Sequence, residues 1–206
     1  ALVNSNKNKT PATFLSGGDG AETVFDQVGG EYLITNYIHN NIISHFSFDV
    51  AGTPNGYTDL TDYLSPEIPD YEGSFINPGA LDSNQDVYFA NAGADIRVIT
   101  GLGRGDTPDT FLITGVTVGG DNVTTLEVSR HTTDSSTLFV GLRSGAIKKI
   151  TNASSEFGYV ISGNLHSQAG SVSDIHVGSS ENELFVTYYN YGINNNIVYT
   201  QDQFST

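Results

Sequence analysis

The chain has 206 residues, a formal net charge of -15 and no cysteine. Only 8 Lys and Arg stand against 23 Asp and Glu, so little positive charge is available to neutralise a phosphate backbone or an anionic membrane surface. We therefore expect no nucleic-acid partner, and the missing cysteines exclude disulfides and thiolate metal sites. No apolar run approaches the ~20 residues that cross a bilayer, so direct membrane insertion is not expected.

Short apolar strands recur along the chain and carry the prediction of the fold. The clearest four cover residues 32–36, 87–91, 138–142 and 184–188. Shorter apolar stretches precede the last three, at 79–81, 126–128 and 175–177, with a polar turn in between. A third strand follows each of the four, at 42–46, 96–99, 146–150 and 196–199, and the stretches 111–113 and 159–161 suit outermost fourth strands.

A unit of four antiparallel strands that recurs roughly every 40 to 50 residues is typical of β-propeller blades. One blade cannot bury both faces of its sheet alone, so neighbouring blades must stack around a common axis. We predict an all-β chain in which one β-propeller segment covers 1–206, as part of a larger ring. About four blades are expected, near 14–50, 75–115, 124–165 and 172–206. A β-sandwich is the alternative architecture.

Residues 51–78 depart from the repeat and are predicted to form one long loop. Pro54, Pro66, Pro69 and Pro78 interrupt this segment, and proline removes a hydrogen-bond donor that a sheet needs. A short helical turn is expected near 60–64. Because long loops often carry function, this loop is also the surface through which the chain would join a larger complex.

Three stretches resemble a known family: residues 16–20 with 24–26 and 31–34, residues 172–177 with 183–188, and residues 198–202. They are similar to the Asp-box, or neuraminidase-type, repeats of exported Bacteroidetes-type bacterial β-propellers, especially the xyloglucanase-like and sortilin-like branch. Thr200 and Asp202 fit the Asp box, whereas Gln203 and Phe204 follow where the family has Gly. The resemblance implies a secreted or cell-surface protein, often a type IX secretion substrate.

Asp19 and Asp174 are the candidate catalytic residues. Hydrolysis of a glycosidic bond needs two carboxyl groups about 5 to 10 Å apart. Asp19 lies in a glycine-rich stretch and Asp174 precedes an inner strand, positions that in the resembling propellers can face the central cleft. The alternative role of both carboxylates is to accept hydrogen bonds from backbone N–H groups at a turn or strand start.

Tyr188, Tyr189 and Tyr191 are the best candidates for ligand binding, because their rings could stack on a sugar or on a partner protein. Their alternative role is to pack between adjacent blades or to shield a strand edge. Exposure decides between the two roles, since a contiguous exposed aromatic patch indicates a binding site.

Asp82, Asn84 and Asp86 alternate with the spacing of oxygen ligands in a calcium loop. The stretch lacks the Gly and the distal Glu of an EF-hand, and it coincides with a predicted hairpin turn. Calcium is therefore the one cofactor that the sequence suggests, with a plain turn as the alternative.

These observations favour a non-catalytic module that binds a protein or a glycan within a larger exported protein. The repeat is clear, whereas no convergent catalytic set accompanies it. The alternative is a glycoside hydrolase of the xyloglucanase or sialidase type, whose active site would be completed by further blades.

Overall fold

A computed structural model describes residues 14–15, 17, 20–63, 74–91, 95–103, 107–117, 120–192 and 195–205. This part of the chain is all-β, as the sequence predicts, and forms four antiparallel sheets of three to five strands. Two short 3-10 helices, Ile38–Asn40 and Leu60–Tyr63, are the only helical elements among these residues. Neither of them has the length or the apolar character that a membrane span requires.

Sheet 1 contains β1 (Gly20–Phe25), β2 (Tyr32–Tyr37), β3 (Ile43–Phe48) and β4 (Pro54–Asp59) in that spatial order. Sheet 2 contains β5 (Gly79–Leu81), β6 (Val87–Ala90), β7 (Ile96–Thr100) and β8 (Asp109–Ile113). Sheet 3 contains β9 (Val123–Val128), β10 (Leu138–Leu142), β11 (Ala146–Thr151) and β12 (Val160–Ile161), with β13 (His166–Ser167) also paired to β11. Sheet 4 contains β14 (Ser171–Val177), β15 (Leu184–Tyr189) and β16 (Ile197–Thr200).

The segment 51–78 is not one continuous loop, because β4 lies within it and pairs with β3. The prediction missed β4 for two reasons. Its sequence, PNGYTD, contains a single aromatic residue and no aliphatic one. It also begins with Pro54, and proline in a sequence normally argues against a strand. Here Pro54 is tolerated because it is the first residue of an edge strand, where no hydrogen-bond donor is needed for the ladder. The helical turn predicted near 60–64 is confirmed by the 3-10 helix Leu60–Tyr63.

The pairing of first and second strands shows which residues of the repeats are equivalent. In each sheet, the last residue of the first strand pairs with one residue of the second strand. This second-strand residue is Leu33 in sheet 1, Val87 in sheet 2, Leu138 in sheet 3 and Leu184 in sheet 4. The sequence repeat placed Tyr32 in this position for sheet 1, one residue too early. Because side chains alternate along a strand, a slip of one residue exchanges the two faces of the sheet.

The core lies between the sheets, and each of three apolar clusters joins two sheets that are consecutive in the chain. Central members are Ile34, Val87 and Phe89 between sheets 1 and 2, Tyr88, Leu138 and Val140 between sheets 2 and 3, and Phe139, Leu184 and Val186 between sheets 3 and 4. We name the face that carries Leu33, Val87, Leu138 or Leu184 the preceding face of its sheet. The opposite face, which carries Ile34, Tyr88, Phe139 or Phe185, is the following face.

The turn between first and second strands begins with an equivalent residue in each sheet, and in sheets 1 and 2 this residue is an aspartate. The Asp26 carboxylate accepts hydrogen bonds from the backbone N–H groups of Val28, Gly29 and Glu31 at 2.9 to 3.1 Å. The Asp82 carboxylate accepts those of Asn84 and Asp86 at 2.9 and 2.8 Å. A short polar side chain thus closes the hairpin turn on its own backbone.

Sheet 4 has Gly178 at this position, and Glu183 at the other end of the turn replaces the aspartate. Its carboxylate accepts bonds from the Ser179 hydroxyl and backbone N–H, both at 2.6 Å, and from the Tyr199 hydroxyl at 2.7 Å. These bonds, led by that of the Ser179 hydroxyl, lower the pKa of Glu183 to about 2. The turn is therefore held by a carboxylate in this sheet as well.

The turn after β16 is built around Thr200. The Thr200 hydroxyl donates to the Asp202 carboxylate at 2.6 Å and accepts the backbone N–H groups of Asp202 and Phe204 at 3.2 and 3.0 Å. Gln203 and Phe204 have φ values of 56° and 61°, which is the left-handed conformation that favours glycine. The first of these is where the Asp-box pattern has Gly.

Candidate binding cleft

Sheets 1, 3 and 4 and the segment that leads into sheet 2 line a cleft of about 520 Å³ near the start of the first strands. Sheet 1 provides Glu22, sheet 3 provides Val123 and Thr124, and sheet 4 provides Ser171 and Tyr189. The remaining lining residues are Ser74, Ile76 and Pro78, which lead into sheet 2, and Asn122 and Arg143 beside sheet 3. Because Glu22, Pro78, Thr124 and Ser171 lie in or directly before the first strands of four different sheets, the cleft lies where the starts of these strands approach one another.

Close contact between sheets 3 and 4 forms one wall of the cleft. The Thr124 hydroxyl donates to the carbonyl oxygen of Val172 at 2.6 Å and lies 3.2 Å from that of Gly141. A Cβ at Gly141 would lie only 2.6 Å from side-chain atoms of Thr125 and Val172. Only glycine therefore allows β14 to approach β10 this closely, which brings Ser171 and Tyr189 to the cleft.

The charged groups of the cleft are Arg143 and Glu22. Arg143 follows the end of β10, where its backbone N–H donates to the carbonyl oxygen of Asn122 at 2.9 Å, and its side chain is exposed. No ion pair joins this guanidinium to another residue in the described part of the chain. Glu22 is half-buried, and its backbone N–H donates to Asn36 Oδ1 at 2.6 Å. The cleft thus presents a cation and an anion to solvent, together with hydroxyl and amide groups.

Tyr189 and Tyr191 form an exposed aromatic pair at the cleft. Their rings meet edge to face, with centroids 5.2 Å apart, and Tyr189 and Tyr191 are 64% and 87% exposed. The Tyr189 hydroxyl donates to that of Tyr191 at 3.3 Å, and this bond raises the pKa of Tyr189. Two predicted ligand-binding residues therefore lie side by side with their rings open to solvent.

Tyr188, the third predicted residue, lies on the other face of β15. It is 4% exposed and belongs to the core between sheets 3 and 4, and burial raises its pKa to about 12. Alternation along the strand separates it from Tyr189. It offers no stacking surface to a ligand, so the candidate set is reduced to Tyr189 and Tyr191.

The two candidate catalytic carboxylates are not brought together by any described contact. Asp174 lies on the following face of sheet 4, exposed and paired with Thr187 across the strands, beside a bulge at Ser173. It does not line the cleft. Asp19 lies outside the described residues.

Among the three predicted calcium ligands, Asp82 already accepts four hydrogen bonds. Besides the two backbone N–H groups of its own turn, it accepts the Tyr88 hydroxyl at 2.8 Å and the Ser136 hydroxyl of sheet 3. Asp86 is buried and Asn84 half-buried. In the described ranges, no three acidic or histidine side chains are grouped closely enough to hold a metal ion. The stretch forms the predicted hairpin turn, in which the Asp82 backbone N–H donates to the Asp86 carbonyl oxygen at 3.0 Å, and calcium binding there stays a prediction.

The sequence prediction missed Glu22, Arg143, Asn122, Thr124 and Ser171 as cleft residues. None belongs to a motif that predicts ligand binding, although Asn122 and Thr124 fit the N-x-T pattern of a glycosylation acceptor, and each is a common polar residue near a strand end. The usable signal is position in the repeat, because the cleft residues lie near the starts of first strands or, in sheets 3 and 4, at the ends of second strands.

No protein-family model matches the chain, and a search of curated proteins also finds no match.

Proposed function

We propose that the chain is part of an Asp-box-like β-propeller and serves as a non-catalytic, secreted or cell-surface module that binds a glycan within a larger exported protein. The observation that carries this proposal is the exposed Tyr189–Tyr191 pair, of which Tyr189 lines a cleft that also contains Arg143 and several hydroxyl and amide groups.

The order of the sheets supports the propeller. Each sheet is an antiparallel meander, consecutive sheets pack face to face, and the first strands converge on one cleft. Such features are expected of blades arranged around an axis. The turn at Thr200 and Asp202, with Gln203 in a conformation that suits glycine, is consistent with the Asp-box resemblance.

The lining chemistry supports a glycan more than a protein as the ligand. A sugar ring presents an apolar C–H face that packs on an aromatic ring, and a rim of hydroxyls that bond to short polar side chains. Tyr189 supplies a ring in the cleft and Tyr191 a second ring beside it, and Asn122, Thr124 and Ser171 line the same cleft. A few placed polar groups beside an apolar surface are what orient a small ligand in a pocket.

The second candidate function is glycoside hydrolysis, and the observation that favours it is Glu22 in the cleft. It is the one acidic residue among the described residues that line the cleft, whereas hydrolysis needs two carboxyl groups about 5 to 10 Å apart. A second carboxylate would have to come from outside these residues, and Asp19, three positions before Glu22, is the candidate within the chain.

A glycan array with the labelled chain, followed by calorimetric titration of the best oligosaccharide, tests the proposal. We expect Tyr189→Ala and Tyr191→Ala each to weaken binding about tenfold or more, since stacking on one ring is lost. Phe157→Ala is the matched control, because Phe157 is 80% exposed in a loop after β11 and does not line the cleft.

An array without any bound glycan contradicts the proposal, and so does equal weakening by Phe157→Ala. Mass spectrometry of the bound oligosaccharide distinguishes the two candidates. Intact ligand after prolonged incubation supports a binding module, whereas cleaved ligand whose formation is abolished by Glu22→Gln supports the hydrolase.

A further inference from the structure

Phe185 occupies the same position in sheet 4 as Tyr88 in sheet 2 and Phe139 in sheet 3. Each is the second residue of the second strand in its sheet, and each lies on the following face of that sheet. Tyr88 and Phe139 are fully buried by the sheet that comes next in the chain, whereas Phe185 is 41% exposed. The aromatic residue at this position is therefore buried in sheets 2 and 3 and partly exposed in sheet 4.

The surroundings of Phe185 are also apolar and uncovered. The Tyr199 ring lies beside that of Phe185, with centroids 4.6 Å apart, and is 47% exposed. Ile197 of the same strand is 73% exposed. These three side chains form a continuous patch across β15 and β16, which we name the Phe185 patch. Exposed clusters of large apolar residues of this kind mark interaction surfaces.

The covered following faces indicate the chemistry of the missing partner. In the next sheet, the cluster partners of both aromatic residues include aliphatic residues of the first and second strands: Val123, Leu126, Leu138 and Val140 for Tyr88, and Val172, Ile175, Val177, Leu184 and Val186 for Phe139. In both interfaces an aromatic residue of one sheet therefore packs in a cluster with aliphatic residues from the first two strands of the next sheet. The partner that fits the Phe185 patch is accordingly a sheet with a branched aliphatic preceding face.

A second copy of the chain fits this role poorly. The preceding face of its sheet 1, where Leu33, Phe46 and Phe48 lie, is already buried with Leu15 packed against it. Two copies would also bring two charges of -15 together, which opposes association at low ionic strength.

We infer that the following face of sheet 4 is a docking surface for a further antiparallel β-sheet of the same type, whose first two strands present aliphatic side chains to the Phe185 patch. Within the described residues sheet 4 has three strands, whereas each of the others has at least four. The partner would therefore also supply a strand that pairs with β16. The inference goes beyond glycan binding and does not depend on it, since the exposure of the side chain at position 185 is measured without a ligand.

A single-tryptophan reporter tests the inference, because the chain contains no Trp. Phe185→Trp is measured in the full chain and in a chain extended at its C-terminus by a copy of residues 157–206. The copy contains a strand equivalent to Val160–Ile161, which can pair with β16. It also contains a second version of sheet 4, whose preceding face can pack on the Phe185 patch. Acrylamide quenching and the emission maximum report how exposed the indole is.

We expect the extension to reduce the quenching constant at least threefold and to shift the emission to shorter wavelength, at every protein concentration. The matched control is an extension in which the copies of Leu184 and Val186 are replaced by Asp, which should leave the reporter exposed. A reporter at Phe157→Trp in the original chain should be equally exposed with and without the extension.

A reporter that stays exposed in the extended chain overturns the inference, whether or not the added copy folds. A blue shift in the unextended chain that grows with concentration, together with a doubled mass, also overturns it by identifying a second copy as the partner. Phe185→Ser in the unextended chain gives an independent check. It should leave the melting temperature unchanged, whereas Phe139→Ser should lower it sharply, and an equal loss would show that the patch is already covered.

Discussion

The Tyr88 hydroxyl donates a hydrogen bond of 2.8 Å to Oδ2 of Asp82, in the buried interface between sheets 2 and 3. The same carboxylate holds its own hairpin turn through Asn84 and Asp86 and accepts the Ser136 hydroxyl from the turn of sheet 3. Burial and the Asp82 charge raise the pKa of Tyr88, so its hydroxyl remains a donor. One aspartate therefore links a turn, a core tyrosine and the neighbouring sheet.

Tyr88→Phe is expected to lower the free energy of unfolding by about 1.5–3 kcal/mol, the range for a hydrogen bond to a charged group. Tyr188→Phe is the matched control, because Tyr188 is buried but its hydroxyl has no hydrogen-bond partner among the described residues. Its removal should be neutral or stabilising. Urea unfolding of both variants measures the difference, and equal losses would contradict the role given to Asp82.

Acidification should weaken the turn of sheet 1 through Asp26. Burial acts to raise the pKa of Asp26, but the backbone N–H groups of Glu31, Val28 and Gly29 outweigh it, so the pKa is lowered from 3.8. Since the folded pKa is depressed, the stabilisation is complete above about pH 4 and is lost as pH falls through the folded pKa. Unfolding measured from pH 6 to pH 2 should show a steeper loss for the native chain than for Asp26→Asn. Parallel curves would contradict the assignment.

Gly145 is expected to tolerate no side chain. Its φ is +88°, and an added Cβ would overlap the carbonyl oxygens of Gln168 and Gly170. Gly115 has a similar φ of +76° but no atom within 4 Å of an added Cβ, so it isolates the backbone penalty. We expect Gly115→Ala to cost about 1–2 kcal/mol and Gly145→Ala to cost clearly more. Thermal unfolding of the two variants provides the comparison, and similar losses would show that segment 168–170 can move away.

The ion pair between Lys149 and Glu181, at 2.7 Å, should contribute little to the contact between sheets 3 and 4. Both side chains are partly exposed, so a double-mutant cycle of Lys149→Met and Glu181→Gln is expected to give a coupling of about 0.2–1 kcal/mol. The coupling should decrease in 1 M salt. A larger, salt-independent value would mean that the pair is effectively buried.

Both ends of two strands could be predicted from the sequence. β5 and β10 begin and end as expected, because each is a run of apolar residues between polar turns. β4 could not be found, since an edge strand with the sequence PNGYTD buries too little to leave an apolar pattern. The misplaced register of Tyr32 has a related cause: Tyr32, Leu33 and Ile34 are all buried, so no alternation distinguishes the two faces.

The candidate site was predictable only in part. Tyr189 and Tyr191 stand out as aromatic residues at the end of a strand, but Tyr188 could not be separated from them until the faces of β15 were known. Glu22 and Arg143 come from sheets 1 and 3, and only the stacking of the sheets brings them to one cleft. Polar residues near strand ends carry no individual signal, so their convergence is a property of the fold.

The most direct test of the proposed binding cleft is an NMR titration of ring-labelled tyrosines with the oligosaccharide that the array selects. The chain has 11 tyrosines, so each ring can serve as a separate reporter. The account predicts shift changes at Tyr189 and Tyr191 that saturate with the calorimetric affinity, while the buried rings of Tyr88 and Tyr188 remain unchanged. Saturating ligand that leaves Tyr189 and Tyr191 unperturbed would contradict it.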